Sequence, residues 1–264
     1  MDDPLPIPEL LAVRPETRNA RPTSNERIHP YDVDRQCAPT RPDFRGVRVF
    51  RDFLSESEAD WLMDEIDKTP FKPAQSGKLK QHHGAKVNFN KKKLNARAFR
   101  GIPAYAGWIE SRARDRTLAD RSGRPGDRRA ALDALARYET SDVFVLRYLE
   151  PEASNLDFHR DDTFAYGEAI LDLSLESDSM LSFIDPPRDA EDSKQLECVR
   201  VPLPSRSLAI VYGAARFEWH HAVLAYDIVG RRTSVTMRTL SESLRQTEEG
   251  TSVLRKARRR DGAS

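Results

Sequence analysis

In the stretch Ile170–Glu176, whose sequence is Ile-Leu-Asp-Leu-Ser-Leu-Glu, leucines alternate with polar side chains. Side chains of a β-strand point alternately to its two faces, so this pattern predicts a strand with one face against a core. A polar turn, Ser177-Asp178-Ser179, and an apolar run, Met180–Ile184, follow directly. Together the two runs indicate a β-hairpin.

The same period of two continues through the second half of the chain. Further short runs predict strands at Val143–Leu149, Cys198–Leu203, Leu208–Tyr212, Glu218–Val223 and Arg232–Leu240. Because no helical crossover separates these runs, a parallel sheet is not expected. The pattern is typical of an all-β sandwich or jelly roll, so we predict a mainly β fold with flanking helices.

The first half of the chain has a different character. Residues 1–44 hold eight of the 17 prolines, a composition that blocks helices and central strands and predicts an extended, partly disordered leader. A strand is expected at Val47–Phe50 and a helix at Glu56–Asp67. Ser55 and Glu58 match the capping box that starts such a helix.

A second helix is expected near Arg128–Ala136, with Asp127 as its N-cap. The predicted organisation is a leader at 1–44, one domain at 45–240 and a basic tail at 241–264. Within the domain, residues 45–137 form an N-terminal helical and lid extension, and residues 143–240 form the β region.

Composition limits the classes of protein to consider. The 264 residues carry a net charge of +1, so no global field singles out nucleic acid as a partner. No apolar run approaches the roughly 20 residues that span a bilayer, and no signal peptide is evident. Cys37 and Cys198 lack the spacing of a zinc site and are too few for a disulfide framework. We therefore expect a soluble protein of the cytoplasm, the nucleus or both, without a membrane partner.

A potential metal site begins at His159 and Asp161, which would share one face of a strand. A second imidazole is available in the segment Trp219–Val223, from either His220 or His221, since adjacent strand residues face opposite sides. Two histidines and one carboxylate form the facial triad that binds iron and leaves three positions open. The structural alternative is that these histidines are satisfied core residues.

A potential anion site lies on the strand Arg232–Leu240, where Arg232 and Arg238 share a face with two hydroxyl residues between them. Two arginines in this arrangement suit a small dicarboxylate, which needs forked, bidentate donors. Tyr148, on an earlier strand, could add a phenolic donor. The structural alternative is a salt-bridged edge strand.

The segment Gln75–Lys93 is strongly basic and contains two glycines, two histidines and one aromatic residue. It could be a lid or binding loop that faces an anionic or polar partner. Composition alone favours a solvated basic hairpin.

The order of Tyr148, His-x-Asp, a later histidine and Arg-x5-Arg resembles the AlkB-like branch of the iron and 2-oxoglutarate dioxygenases over about residues 45–240. Within that branch, the segments Gln75–Leu94 and Gly213–Ala222 are similar to the AlkB homologue 4 subfamily. The resemblance implies a double-stranded β-helix (jelly roll) with an N-terminal helix and lid extension. It also implies Fe(II) as cofactor and 2-oxoglutarate and O2 as cosubstrates.

The resemblance assigns roles residue by residue. His159, Asp161 and His221 would bind Fe(II). His221 is preferred over His220 because in the branch the distal histidine is commonly followed by a small and an apolar residue, here Ala222 and Val223. Arg232, with Tyr148, would bind the distal carboxylate of 2-oxoglutarate, and Arg238 would neutralise the carboxylate nearer the iron. The basic segment becomes a substrate-side lid, with these candidate contacts: Lys80, Gln81, Lys86, Asn88 and Phe89.

Three departures from the branch affect the expected function. Leu146 stands where many members have an asparagine that contacts 2-oxoglutarate, and Thr163 stands where base-repairing members have a carboxylate that reads the nucleobase. Homologue 4 proteins can also carry an N-terminal cysteine cluster, and only Cys37 lies in this leader.

The expected reaction is oxidative demethylation of an N-methyl group, with release of succinate, CO2 and formaldehyde. The subfamily has been associated with demethylation of methyl-lysine in actin and of N6-methyladenine in DNA. Because Thr163 replaces the carboxylate that reads a nucleobase, methyl-lysine is ranked first. A non-catalytic jelly-roll binding module is the alternative of another class.

Overall fold

A computed structural model describes residues 27–88, 90–186 and 196–259. The N-terminal half supplies short strands and three helices. In chain order they are β1 (Ile28–Pro30), β2 (Val47–Phe50), α1 (Glu56–Asp67), β3 (Lys72–Pro73), β4 (Leu79–Gly84), β5 (Lys86–Asn88), β6 (Lys93–Asn95), α2 (Ala104–Ala119) and α3 (Pro125–Ala136). The predicted capping box is present at α1, where the Ser55 hydroxyl accepts from the Glu58 amide and the Glu58 carboxylate accepts from the Ser55 amide.

The C-terminal half supplies the main strands. They are β7 (Asp142–Leu149), β8 (Leu156–His159), β9 (Tyr166–Leu175), β10 (Ser179–Ile184), β11 (Cys198–Leu203), β12 (Leu208–Tyr212), β13 (His220–Val223) and β14 (Arg231–Leu240), with the short helix α4 (Gly213–Phe217) before β13. Two helices close the described chain, α5 (Glu242–Arg245) and α6 (Glu248–Arg258).

The described strands from β7 onward divide between two large sheets. One sheet has the order β2-β12-β9-β14-β7-β4-β3, and the other has the order β1-β11-β10-β13-β8. Every pairing of strands β7 to β14 with one another is antiparallel. This exchange of strands between two stacked sheets is the double-stranded β-helix, so the predicted fold class is confirmed.

Two apolar clusters flank the larger sheet. One lies between the two sheets and includes Val49, Phe183, Val201 and Val211. The other lies between the larger sheet and the helices and includes Leu62, Ile109, Leu135, Val235 and Met237. Alternate residues of β14 therefore face the helices, and the intervening residues face the space between the sheets.

The predicted hairpin is wrong. Strand β9 pairs with β12 and β14, whereas β10 pairs with β11 and β13 in the other sheet. Almost every residue of β9 is buried, because the strand is central and is covered on both faces. The two-residue period identifies which side chains share a face, but it does not identify the neighbouring strand.

In the N-terminal half, the start of one helix is corrected and another helix was missed. Helix α3 begins at Pro125 with Arg124 as N-cap and no side-chain cap, so Asp127 lies inside the first turn. The proline ring presets the backbone angle of the first helical residue and makes a capping side chain less necessary. Helix α2 was not predicted, since its charged residues obscure the buried stripe that contains Tyr105 and Ile109.

Part of the predicted leader belongs to the folded domain. Strand β1 pairs with β11, and Tyr31 is buried with its hydroxyl 2.7 Å from the Val47 carbonyl. Phe44 packs against Phe183 and Trp219 in the core between the sheets. Residues 1–26 lie outside the described residues, so the prediction for them stays a prediction. Within the described ranges, no helix is both long and apolar enough to cross a membrane.

Candidate active site

Two strands of the smaller sheet and one loop bring three potential metal ligands together. His159 is the last residue of β8 and lies directly opposite His221 of β13, with ring centroids 4.4 Å apart. Asp161 lies just after the strand rather than within it, two residues past the end of β8. One ligand atom from each of these three residues lies within 4.8 Å of the other two. This donor set matches the two-histidine, one-carboxylate triad.

Both histidines of the cluster can present a ring nitrogen to a metal ion. Nδ1 of His159 lies 2.8 Å from the Asp157 carbonyl and donates to it, which leaves Nε2 available for a metal. Burial, followed by the charge of His159, lowers the pKa of His221 to about 3. The imidazole of His221 is therefore neutral at physiological pH and offers its lone pair without losing a proton first.

Asp161 is the anionic member of the triad. Burial alone would raise the pKa of Asp161, but the positive charge of Arg238, followed by the two histidines, holds it well below its usual range. Nε of Arg238 donates to Oδ1 of Asp161 at 2.7 Å. Oδ2 of Asp161 is buried and accepts no hydrogen bond from the described residues, so it remains available to a metal ion.

Arg216 fixes the loop that carries Asp161. This arginine lies in α4, is 1% exposed and donates to the carbonyls of Asp161, Asp162 and Tyr166 at 2.8, 3.1 and 3.2 Å. The sequence interpretation gave Arg216 no role. The available signal was an arginine within the otherwise uncharged helix α4, where burial requires nearby acceptors.

The arginine strand lines the space between the two sheets. Arg232, Ser234, Thr236 and Arg238 share one face of β14, as predicted. Their neighbours on β7 are, in the same order, Tyr148, Leu146, Phe144 and Asp142. Arg238 lies at the metal end of this row, where its Nη1 is 3.5 Å from Oδ2 of Asp142 in addition to its contact with Asp161.

Arg232 lies farther along the strand, beside Tyr148. The Arg232 guanidinium carbon is 5.2 Å from the centre of the Tyr148 ring, and the arginine is fully buried. Nε donates to the Ser174 hydroxyl at 3.0 Å and Nη2 lies 3.3 Å from Oδ2 of Asp172, whereas Nη1 is buried and has no partner among the described residues. An unpaired guanidinium nitrogen in a buried site fits a carboxylate from a ligand.

Tyr148 stays protonated in this pocket, because burial raises its pKa to about 12. It therefore remains a hydrogen-bond donor. Nζ of Lys78 lies 6.0 Å from the Tyr148 ring centre and donates to the Asn155 carbonyl. Lys78 is buried, which lowers its pKa, and the sequence interpretation did not select it. Leu146 contributes only an apolar side chain at the position of the missing amide.

The candidate lid residues do not all lie on one face of the protein. Gln81 is buried, and its Nε2 donates to the carbonyls of Ile66 and Thr69 at the end of α1, which contradicts its assignment as a lid contact. Its two neighbours in β4, Lys80 and His82, occupy the opposite face of that strand.

Lys80 lies opposite Leu146 in β7 and therefore borders the pocket. Lys86 and Asn88 are exposed on β5. This strand begins two residues after Gly84, the residue of β4 that lies opposite Asp142. The roles of these three residues stay predictions, and Phe89 lies outside the described residues.

His82 was not assigned a role from the sequence, although it lies at the metal end of the pocket. Its Nε2 is 2.6 Å from Oδ1 of Asp142, and its ring stacks on Phe144 with centroids 4.2 Å apart. Asp142 in turn contacts Arg238. A chain of contacts therefore connects the partly exposed His82 to the carboxylate of the metal site.

Comparison with known proteins identifies the class to which this fold and site belong. The family model for the 2OG-Fe(II) oxygenase superfamily matches residues 46–238. The chain belongs to this superfamily. Fe(II), 2-oxoglutarate and O2 are the cofactor and cosubstrates of that family, and the donor set of the triad and the unpaired nitrogen of Arg232 fit them.

Similar proteins narrow the class to the AlkB type. The human alpha-ketoglutarate-dependent dioxygenase alkB homolog 4 is 33% identical over 240 residues, which are 80% of this chain and 74% of the human protein. The mouse protein of the same name is 29% identical over 81% of this chain and 75% of its own length. A Caenorhabditis elegans protein named DNA N6-methyl adenine demethylase is 31% identical over 73% of this chain and 59% of its own length. The predicted resemblance to the AlkB-like branch is confirmed.

Proposed function

We propose that this chain is an oxidative demethylase that removes methyl groups from nitrogen, using Fe(II), 2-oxoglutarate and O2 and releasing succinate, CO2 and formaldehyde. The observation that carries the proposal is the cluster of buried Asp161 with the half-buried His159 and His221, which lies on the same side of the larger sheet as Arg232 and Arg238. A binding module without catalysis has no physical need for two facing histidines beside an ionised carboxylate, with an unpaired buried guanidinium nitrogen farther along the same face of the larger sheet.

Each residue has a distinct task in this proposal. His159, Asp161 and His221 would hold the iron, which together with its cosubstrates supplies the oxidising chemistry when bound. Arg238 keeps Asp161 ionised and neutralises negative charge at the metal end. Arg232 and Tyr148 would orient the distal carboxylate of 2-oxoglutarate, the phenol as a neutral donor.

Methyl-lysine in a protein, such as actin, is the first candidate substrate. Thr163 is exposed and offers no carboxylate to read a nucleobase, which weakens the case for base recognition. The stacked pair His82 and Phe144 offers an aromatic surface on which a methylated ammonium group could pack.

N6-methyladenine in DNA is the second candidate substrate. It is favoured by the name of the similar Caenorhabditis elegans protein. The exposed cationic residues of β5 and β6, Lys86 and Lys93, would suit a phosphate backbone.

We expect methyl-lysine peptides to be turned over faster than N6-methyladenine oligonucleotides. The measurement is release of formaldehyde and succinate in parallel reactions, with unmethylated peptide and oligonucleotide as controls for uncoupled turnover. Turnover of the oligonucleotide alone would reverse the order of the two substrates. Formaldehyde no higher than in the unmethylated controls, from both substrate classes, would count against N-demethylation of these groups.

A further inference from the structure

A carboxylate of the chain itself occupies part of the pocket proposed for a dicarboxylate. Asp172 lies in the central strand β9, directly opposite Thr236 of β14. Its Oδ1 accepts from the Thr236 hydroxyl at 2.7 Å, and its Oδ2 lies 3.3 Å from Nη2 of Arg232. The side chain of Asp172 is 12% exposed, whereas that of Arg232 is fully buried. Asp172 is therefore the more accessible partner of the pair.

The contact between Asp172 and Arg232 leaves the arginine only partly satisfied. A single nitrogen–oxygen contact of 3.3 Å is longer than the roughly 2.7–2.9 Å of strong charge-assisted hydrogen bonds. A bidentate pair would use two guanidinium nitrogens, but Nη1 of Arg232 has no partner among the described residues. The arginine thus keeps hydrogen-bonding capacity for a ligand, although its charge is already balanced by Asp172.

A ligand carboxylate that approaches Arg232 would bring a second negative charge close to Asp172. The two like charges repel, and the repulsion is strong in a buried site because the effective dielectric constant is low. In the absence of a ligand, by contrast, Asp172 stabilises Arg232, since an unpaired buried guanidinium is costly. The same residue therefore has opposite effects on the empty and the occupied pocket.

We propose that Asp172 sets the affinity of this pocket for dicarboxylates: it neutralises Arg232 in the empty pocket and opposes binding of the distal carboxylate of 2-oxoglutarate. The proposal rests on the assignment of Arg232 to that carboxylate. Asp172 is a positioning and affinity-determining residue here and has no part in the chemical step. Because of Asp172, the affinity for the distal carboxylate of 2-oxoglutarate is lower than Arg232 and Tyr148 alone would give.

The test is the substitution Asp172→Asn, which removes the charge but keeps the size of the side chain and an oxygen acceptor for Thr236. Binding is measured by calorimetry without O2, with Mn(II) in place of Fe(II). We expect 2-oxoglutarate and succinate each to bind about tenfold more tightly, because both carry a distal carboxylate. Oxalate, which can chelate the metal but has no distal carboxylate, should bind with unchanged affinity.

A second readout is the melting temperature. The empty Asp172→Asn variant should melt below the wild type, because Arg232 loses its counter-ion, and the stabilisation by 2-oxoglutarate should be larger than in the wild type. Glu176→Gln is the matched control, since Glu176 follows the same strand and pairs with Arg231 and Thr233 outside the pocket. Its affinities for the three ligands should equal those of the wild type.

Unchanged or weaker binding of 2-oxoglutarate to Asp172→Asn would overturn the proposal, because Asp172 would then only hold Arg232 in place. Asp172→Ser, which also removes the charge, should show the same tightening and serves if the asparagine variant does not fold. Equal tightening for oxalate would also contradict the proposal. If the wild type binds oxalate with Mn(II) but neither 2-oxoglutarate nor succinate, the assignment of Arg232 fails while the metal site stands.

Discussion

Substitution of His221 by alanine is expected to abolish tight Fe(II) binding and succinate formation. In the proposed site His221 would supply one of three ligands, and the other two, His159 and Asp161, could not complete the triad without it. The loss should exceed the roughly 10- to 100-fold effect of removing an outer-shell partner of a metal ligand. The measurements are metal content after dialysis against Fe(II) without O2 and the rate of succinate release.

The neighbouring His220 provides a matched control for this substitution. Adjacent strand residues face opposite sides, so His220 shares a face with Ala222 rather than with His221. Ala222 belongs to a third buried cluster, together with Phe158 and Ile184. His220→Ala should therefore retain Fe(II) binding. If His220→Ala lost the metal and His221→Ala kept it, the ligand assignment would be reversed.

The second large effect is expected for Arg238→Ala, which should abolish succinate production while the circular dichroism spectrum stays largely that of the wild type. Arg238 is the cation beside two buried carboxylates, Asp142 and Asp161, with side chains 4% and 8% exposed. Without it both carboxylates lose their shared guanidinium partner, and removing one member of a buried ion pair typically costs about 3–5 kcal/mol. The carboxylate of Asp161 also loses the contact that keeps it ionised and oriented.

Arg238→Lys separates charge from geometry. Lysine keeps the positive charge, but it cannot place two nitrogens on two carboxylates as the guanidinium does. We expect it to recover the melting temperature more fully than the rate of succinate formation. Normal turnover by Arg238→Ala would show that the site has been assigned incorrectly.

The sequence predicted the strands and the shared faces well, since both follow from the two-residue period. Four predicted elements agree with the structure at both ends: Val47–Phe50, Glu56–Asp67, Cys198–Leu203 and Leu208–Tyr212. The end of the predicted strand Val143–Leu149 agrees as well. The partners of the strands could not be predicted in the same way. The hairpin predicted from Ile170–Glu176 and Met180–Ile184 is wrong because β9 and β10, although consecutive in the chain, lie in different sheets.

In the candidate site, too, some residues could be predicted from the sequence and others depend on which strands are paired. His159 and Asp161 alone are a weak signal, and they were selected because a later histidine and two arginines follow them in order. The resemblance fixed the choice of His221 over His220. Residues that act through register were not found. Asp172 contacts Arg232 because β9 pairs with β14 in the register that places Asp172 opposite Thr236. Gln81 contacts α1 because it lies on the face of β4 that is turned towards that helix.

The site between the two sheets should bind Fe(II) and 2-oxoglutarate together. The direct measurement is an anaerobic titration of the metal-loaded protein with 2-oxoglutarate, followed in the visible spectrum. We expect a weak metal-to-ligand charge-transfer band that saturates with cosubstrate in the wild type and is absent in His221→Ala. A wild-type protein that is folded and loaded with Fe(II) but develops no such band would contradict it.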